Sequence, residues 1–346
     1  MHYAETANLL PGMKRDPQYA WLKEADSQVL QQALKDLERA YQNFFAKRAG
    51  FPRFKSKHDK QSIRYPQRVK VDPEAQRTYL PKVGWVKTVF HRALEGKFKN
   101  VVVSKTKSNR YYASFQVEVE IPEPEYYGEG IGIDLGLMHY AVLSDGTKIP
   151  NPRNLNQGEK ELARMQRRLS QRQKGSQGWE KARMQVSRKQ EKIANQRKDF
   201  QHKLSHWLVK EYGLIGVESL QVKGMMQNGR LAKHIADAGW GEFNRQLAYK
   251  GAWYGCQVKK IDSWYPSSKT CSACGAMMAE MALSMRNWEC PVCGAGHDRD
   301  VNAARNILDQ ATVGTTERHA GGVHVRPVIF MQAGTLKPEA PQLAAG

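Results

Sequence analysis

At 346 residues the chain is long enough to bury at least one full core, and its 54 Lys and Arg against 34 Asp and Glu leave a formal net charge of +20 and a pI near 9.7. A surplus of that size concentrates polyanions around the protein, so nucleic acid is the first partner to consider, against the plain alternative of a merely soluble basic surface. Met1 to Arg15 holds no apolar signal core, no run approaches the roughly 18 apolar residues of a membrane span, and four of the five cysteines crowd between Cys271 and Cys293, so a membrane protein and a secreted disulfide scaffold are excluded and a cytosolic one is expected.

Leu30, Leu34, Leu37, Tyr41, Phe44 and Phe45 recur at the spacing of one helix face, and Gly50 with Pro52 ends the segment. From Phe51 to Lys70 a basic stretch follows, with Arg53, Lys55, Lys57, Lys60, Arg64, Arg68 and Lys70 against the single acid Asp59. Phe54 and Tyr65 interleave, and cations beside aromatics suit a nucleic-acid backbone and its bases; a solvated linker would read the same way. From Val83 the period changes to two: Val101 to Val103, a turn at Lys107, Ser108 and Asn109, then Tyr111, Ala113, Phe115, Val117 and Val119, a β-hairpin in a half-exposed sheet. Pro122 and Pro124 mark a boundary before Gly130.

Gly130-Ile131-Gly132-Ile133-Asp134-Leu135-Gly136 is a short apolar strand delivering a carboxylate at its end. Tyr140 to Leu143 follows as a second strand, closed by the turn Ser144-Asp145-Gly146-Thr147. Between Asn151 and Lys210 stand 16 Lys and Arg against 5 acids, more than half of the net charge, in a helical pair joined near Gly175 and Gly178. A solvated helical face usually alternates signs, so the scarcity of acids favours contact with phosphates. The strand-then-acid pattern returns at Gly213 to Glu218, and a third acid, Asp300, heads the helix formers of Asp298 to Leu308, where capping a helix would be its simplest role. Each acid alone is weak evidence. Together they form an oxygen-rich set suited to Mg²⁺ or Mn²⁺, and phosphodiester cleavage by two ions roughly 3.5 to 4 Å apart needs such a set.

Cys271-x₂-Cys274 and Cys290-x₂-Cys293, each followed by glycine, have the spacing of a closed, structural four-thiolate Zn²⁺ site. His297 lies just beyond as a hydrogen-bonding neighbour, and Cys256, after Trp253 and Tyr254, reads as a small buried hydrophobe. No Walker-type loop, serine nucleophile elbow or His-Glu-x-x-His helix is present.

Gly132-Ile133-Asp134-Leu135-Gly136, Gly216-Val217-Glu218-Ser219-Leu220, Trp264-Tyr265-Pro266-Ser267-Ser268-Lys269-Thr270-Cys271 and Asp298-Arg299-Asp300-Val301-Asn302-Ala303-Ala304, in that order, resemble the transposon-encoded TnpB proteins. These are also known as OrfB-type transposases with a zinc ribbon, relatives of the CRISPR type V effector nucleases. The likeness spans roughly Gly130 to Leu308 and, more loosely, the upstream helix and hairpin. It implies an α/β chain built on an RNase H-like (RuvC-like) nuclease domain, with Asp134, Glu218 and Asp300 as catalytic acids holding Mg²⁺ or Mn²⁺ and a zinc ribbon on the four cysteines. It also implies a guide RNA derived from the transposon end, a target double-stranded DNA, and a prokaryotic, nucleoid-associated monomer.

The expected layout is a partial helical recognition region with a basic linker over 1–70 and a wedge-like β region of barrel type over 71–126. The nuclease domain follows over 127–265 with its basic helical insert at 151–210, then the ribbon over 266–296, the end of the nuclease domain over 297–312, and a flexible tail over 313–346. Candidate nucleic-acid contacts are Arg53, Lys55, Lys57 and Arg64 in the basic stretch, and Arg164, Arg167, Arg168, Arg183, Arg188 and Lys189 in the insert. Family members usually begin with a basic strand and additional helices ahead of a segment like Leu9 to Phe51, so a truncated, cleavage-deficient guided DNA-binding protein is the alternative. An actin-like ATPase on the Asp134 hairpin is disfavoured by Leu137, where a phosphate-contacting Ser or Thr would be needed. A strand-joining transposase shares the acid cluster and stays open.

Overall fold

The computed structural model describes residues 2–56, 61–120, 129–282 and 284–313. They form two compact units, 2–120 and 129–313. Lys57 and the tail beyond Val313 lie outside the described residues.

In the first unit α1 (Tyr3–Arg15) and a short 3₁₀ turn (Pro17–Lys23) precede α2 (Ser27–Phe45), the helix expected from the leucine and aromatic spacing. Asp26 caps α2: its carboxylate accepts from the Gln28 amide at 2.9 Å and from Arg68 Nη2 at 2.7 Å. Six strands follow, β1 (Gln61–Tyr65), β2 (Lys70–Asp72), β3 (Arg77–Leu80), β4 (Gly84–Lys87), β5 (Lys97–Lys105) and β6 (Tyr111–Glu118). They build two three-stranded sheets, β1-β5-β6 and β2-β3-β4. The β5–β6 hairpin turns as expected, with Asn109 in the left-handed region at φ +61. Part of the basic stretch is more ordered than a solvated linker. Residues 61–65 are a strand antiparallel to β5, and Tyr65 is buried with Leu80, Val101 and Phe115.

The second unit is organised around a five-stranded sheet in the order β11-β10-β7-β8-β9. Here β7 (Gly130–Leu135), β8 (His139–Leu143) and β9 (Lys148–Pro150) run antiparallel in sequence, while β10 (Leu214–Glu218) and β11 (Gln257–Ile261) extend the other edge parallel to β7. Between β9 and β10 lies the basic pair, α3 (Asn154–Ser170) and α4 (Gln177–Glu211), packed through Leu162, Val186 and Ile193. Only Gly175, at φ +88, serves their turn; Gly178 sits inside the first turn of α4. Then come α5 (Val222–Met225), α6 (Ala232–Ala238), α7 (Trp240–Tyr254), β11, the small hairpin β12 (Asn287–Glu289) and β13 (Gly296–Asp298), and α8 (Arg299–Thr312).

The period of two sorts the strands onto two faces. Ile131, Ile133, Leu135, Ile215 and Val217 point to one face and are buried with Leu204, Leu208, Phe243 and Leu247 of α4 and α7. Gly132, Asp134, Gly216 and Glu218 therefore point to the other, where α8 packs. Among the described residues no helix is long and apolar enough to cross a membrane.

Candidate active site and metal centre

Strand register places the first two acids. β10 pairs with β7 from Leu214 opposite Gly130 to Val217 opposite Ile133, so the next step sets Glu218 beside Asp134. On adjacent strands about 4.8 Å apart, two carboxylates at the same level of one face are neighbours. Two glycines place the third. A Cβ on Gly132 would lie 1.9 Å from the Ala304 carbonyl oxygen and 2.7 Å from the Leu308 amide, and one on Gly216 would lie 2.8 Å from Ala311 Cβ. The bare strand surface lets α8 lie directly on it, with its first turn and Asp300 over the strand ends that carry Asp134 and Glu218.

Gly132→Ala is accordingly expected to destabilise the protein, because both offending α8 atoms are backbone and the helix must slide. Overpacking of this kind costs about 1–3 kcal/mol, a fall in melting midpoint of roughly 2–12 °C for a unit of this size. Gly241→Ala, with nothing within 4 Å of the added Cβ, is the calorimetric control and should leave the midpoint nearly unchanged.

All three carboxylates are half-buried. Burial first, then the charges of Glu218 and Asp300, push the Asp134 carboxyl from its usual 3.8 up to about 8. The two acids flanking Arg299 have different partners. Asp298 caps α8, accepting from the amides of Asp300 and Val301 at 3.1 Å each, and pairs with Lys148 Nζ at 2.7 Å, which lowers its own pKa despite burial. Capping thus falls to Asp298, and Asp300 is left facing the strand acids. Arg286 approaches Asp300 at 3.6 Å, and its charge with that of Arg299 partly offsets the repulsion at Asp134. A cleft of about 190 Å³ opens beside Glu218, lined also by Asp262, Ser263 and Tyr265.

The cysteines come together as two matching knuckles. In each, the first cysteine's carbonyl accepts from the glycine amide, Gly275 to Cys271 at 2.8 Å and Gly294 to Cys290 at 2.9 Å. Those glycines take left-handed φ values of +76 and +74. The four sulfurs lie within 4.8 Å of one another, and among the described residues this is the one group of three or more His, Cys, Asp or Glu so closely gathered. Four thiols at that spacing could hold a metal ion, a fit consistent with zinc. The amides of Cys293 and Val292 lower the Cys290 thiol to about 7, whereas burial and hydrogen bonds with the neighbouring sulfurs raise those of Cys274 and Cys293. His297 contributes as a neighbour, its Nε2 3.1 Å from Cys271 Sγ and its ring against Trp288. Cys256 is buried among apolar residues, its thiol pushed up to about 12 by burial.

The candidate nucleic-acid contacts are scattered in environment. Arg53, Lys55, Arg164, Arg167, Arg168 and Arg188 are exposed. Arg64 pairs with Asp36 at 3.8 Å, Arg183 with Glu180 at 2.7 Å, and Lys189 with Glu161. Sequence reasoning did not single out Lys148, Arg286, Ser267, Asn302 or Asn306, whose partners are all distant in the chain. Only the Ser267-Ser268-Lys269-Thr270 run beside Cys271 signalled that the segment was special.

Comparison with known proteins gives concordant results. Residues 114–229 match the family described as a probable transposase, OrfB_IS605, and residues 240–307 match the Cas12f1-like TNB domain. The "Putative RNA-guided DNA endonuclease InsQ" of Escherichia coli K12 is 41% identical over 322 residues, covering 88% of this chain and 80% of that protein. A "Putative RNA-guided DNA endonuclease" of Streptomyces pristinaespiralis is 40% identical over 309 residues, covering 88% and 77%. Among solved structures, the chain in a Cas12f1–sgRNA–target DNA complex shares the mixed α/β fold at a TM-score of 0.52 and 16% identity, covering 82% of this chain and 70% of that one.

Proposed function

The chain belongs to the OrfB-type TnpB family, and from that premise we propose that it is an RNA-guided DNA endonuclease whose catalytic acids are Asp134, Glu218 and Asp300. The observation that carries the assignment is that Asp134 and Glu218 end adjacent parallel strands on the face covered by the helix of Asp300, near enough for the charges of Glu218 and Asp300 to act on Asp134, though less closely gathered than the four sulfurs. The order β11-β10-β7-β8-β9 supports an RNase H-like, RuvC-type reading of the sheet.

The acids fit Mg²⁺ or Mn²⁺: they are hard oxygen donors whose mutual repulsion already raises Asp134, so a divalent cation relieves a strain present in the protein alone. When bound, such ions supply charge stabilisation for the scissile phosphate and an activated water. Asp134 and Glu218 fix the strand side of that site, Asp300 the helix side, and Arg286 adds a positive charge at its mouth. The four cysteines hold Zn²⁺ in a structural ribbon. Arg164, Arg167, Arg168, Arg183, Arg188 and Lys189 on the helical pair, with Arg53, Lys55, Lys57 and Arg64, contact the phosphates of a guide RNA from the transposon end and of its DNA target. The relatives are named endonucleases, which favours cutting over guided binding alone.

Purified protein is expected to carry a discrete RNA of transposon-end sequence and to cut double-stranded DNA complementary to it in Mg²⁺. Sequencing the copurified RNA and assaying its matched DNA tests both parts. Absence of RNA together with absence of cutting would overturn the assignment.

A further inference from the structure

Residues 266–272, which run from the end of the acid-bearing sheet through the first cysteine, form a strap bound tightly to α8. Asn302 and Asn306 stand one turn apart on that helix, exposed by only 1% and 3%. Asn306 Nδ2 donates to the carbonyls of Ser267 at 2.7 Å and Thr270 at 2.6 Å. Asn302 Nδ2 donates to Thr270 O at 2.7 Å, and its Oδ1 accepts from the Ser272 amide at 2.9 Å. Within the strap, the amides of Lys269 and Thr270 and the Thr270 hydroxyl all donate to Pro266 O. Buried amides satisfied this fully leave a segment one geometry.

One side chain leaves the strap for the acids. Ser267, 6% exposed, donates from Oγ to Glu218 Oε1 at 2.6 Å. That is the short range of a hydroxyl on an ionised carboxylate. Among the described residues it is the one hydrogen bond this carboxylate receives.

We propose that Ser267 is a positioning residue for the acid cluster: it pins one oxygen of Glu218, leaves the other for a cation that Asp134 and Asp300 would also hold, and is itself placed by Asn302 and Asn306 of the helix that carries Asp300. The proposal deepens the nuclease assignment and rests on it. Without the hydroxyl, Glu218 regains rotamer freedom and its carboxylate is no longer held toward Asp134. The strap therefore couples a strand acid to the helix acid through six hydrogen bonds, with Cys271 next in sequence to its Thr270 anchor.

The test compares parent, Ser267→Ala and Ser267→Thr as full-length, zinc-loaded protein, with Mn²⁺ affinity from electron paramagnetic resonance as the primary reading. Loss of a group that orients a metal ligand typically weakens affinity or activity about 10- to 100-fold. Ser267→Ala is expected to weaken Mn²⁺ binding by about tenfold and lower kcat similarly, with KM for DNA, zinc content and melting midpoint unchanged; Ser267→Thr should restore both. Parental Mn²⁺ affinity in Ser267→Ala overturns the proposal whether or not the protein cuts DNA. A loss that threonine does not rescue, accompanied by a lowered melting midpoint, also overturns it, since the hydroxyl would then be structural. Weakened Mn²⁺ binding relative to a parent that never cuts DNA upholds the role of Ser267 at the cation and overturns the nuclease assignment alone.

Discussion

Asp134→Ala is expected to abolish DNA cutting while leaving the copurified RNA in place. Asp134 stands beside Glu218 by strand register and within reach of the Asp300 charge, and in the proposed reading all three acids serve one cation-binding site. Removing a central ligand forfeits several kcal/mol of charge stabilisation at the scissile phosphate, so the rate should fall by about 10³-fold or more. Nucleic-acid affinity should change little, because the phosphate contacts proposed above lie on the basic helical pair and the basic stretch. Cleavage time courses and quantified RNA in the same preparation check both halves, and an alanine variant that still cuts would remove Asp134 from the reaction.

The same residue should behave oppositely in stability. Its carboxyl is raised in the folded state to about 8, so ionisation is disfavoured on folding. Stability from this group is fully present below the unfolded value near 3.8 and is lost as pH rises toward 8. Metal-free protein should therefore melt lower at pH 8 than at pH 5 on this account, and Asp134→Asn, which cannot ionise, should melt several degrees above the parent at pH 8. Added Mg²⁺ should close most of that gap from the parent's side.

How far the site could be seen in the sequence depends on the distance over which each part is organised. Asp134 and Glu218 were legible because each ends an apolar strand a few residues long, and the cysteines because a knuckle is a four-residue object. The convergence of the acids had local traces too, in Gly132 and Gly216, but their reason is the approach of α8, more than 80 positions away. The tie from Ser267 to Glu218 spans 49 positions, and those from Asn302 and Asn306 to the strap span 30 to 39, so no window of local pattern contains both partners. β11 was hidden for another reason: Gln257-Val258-Lys259-Lys260-Ile261 buries only Ile261 and carries two lysines, weak alternation for an edge strand. β1 was masked in the same way by the basic residues around it, its strand character being set by pairing with β5. In the Asp298–Asp300 pair, the division between cap and site follows from Lys148, 150 positions upstream.

Cys271→Ser is expected to have the second large effect, through structure and not through direct contact with the phosphate. In the proposed reading four thiolates close a zinc site, whose binding free energy in small peptides is about 10–16 kcal/mol, and in a segment with so little core that energy would be largely its folding energy. The ribbon's own apolar cluster is Cys271, Trp288 and Cys290, with Ala276, Met278 and Met281 against it. Among the described residues its only strand pairing is β12 with β13, three residues each. Losing one ligand should therefore release the metal, expose Trp288 and open 271–296 to protease, while the sheet, with its separate core on α4 and α7, stays folded. Metal analysis should fall from one zinc per chain to none, and limited proteolysis should nick the ribbon first. Cutting should also fall, by about 100-fold, because release of Cys271 loosens the Thr270 end of the strap that sets Ser267 on Glu218. A parent protein without zinc would overturn the structural role given to the cysteines. A Cys271→Ser variant that loses zinc yet cuts at the parental rate would show that the carboxylates keep their geometry without the ribbon, leaving α8 and the two glycines as sufficient to assemble them.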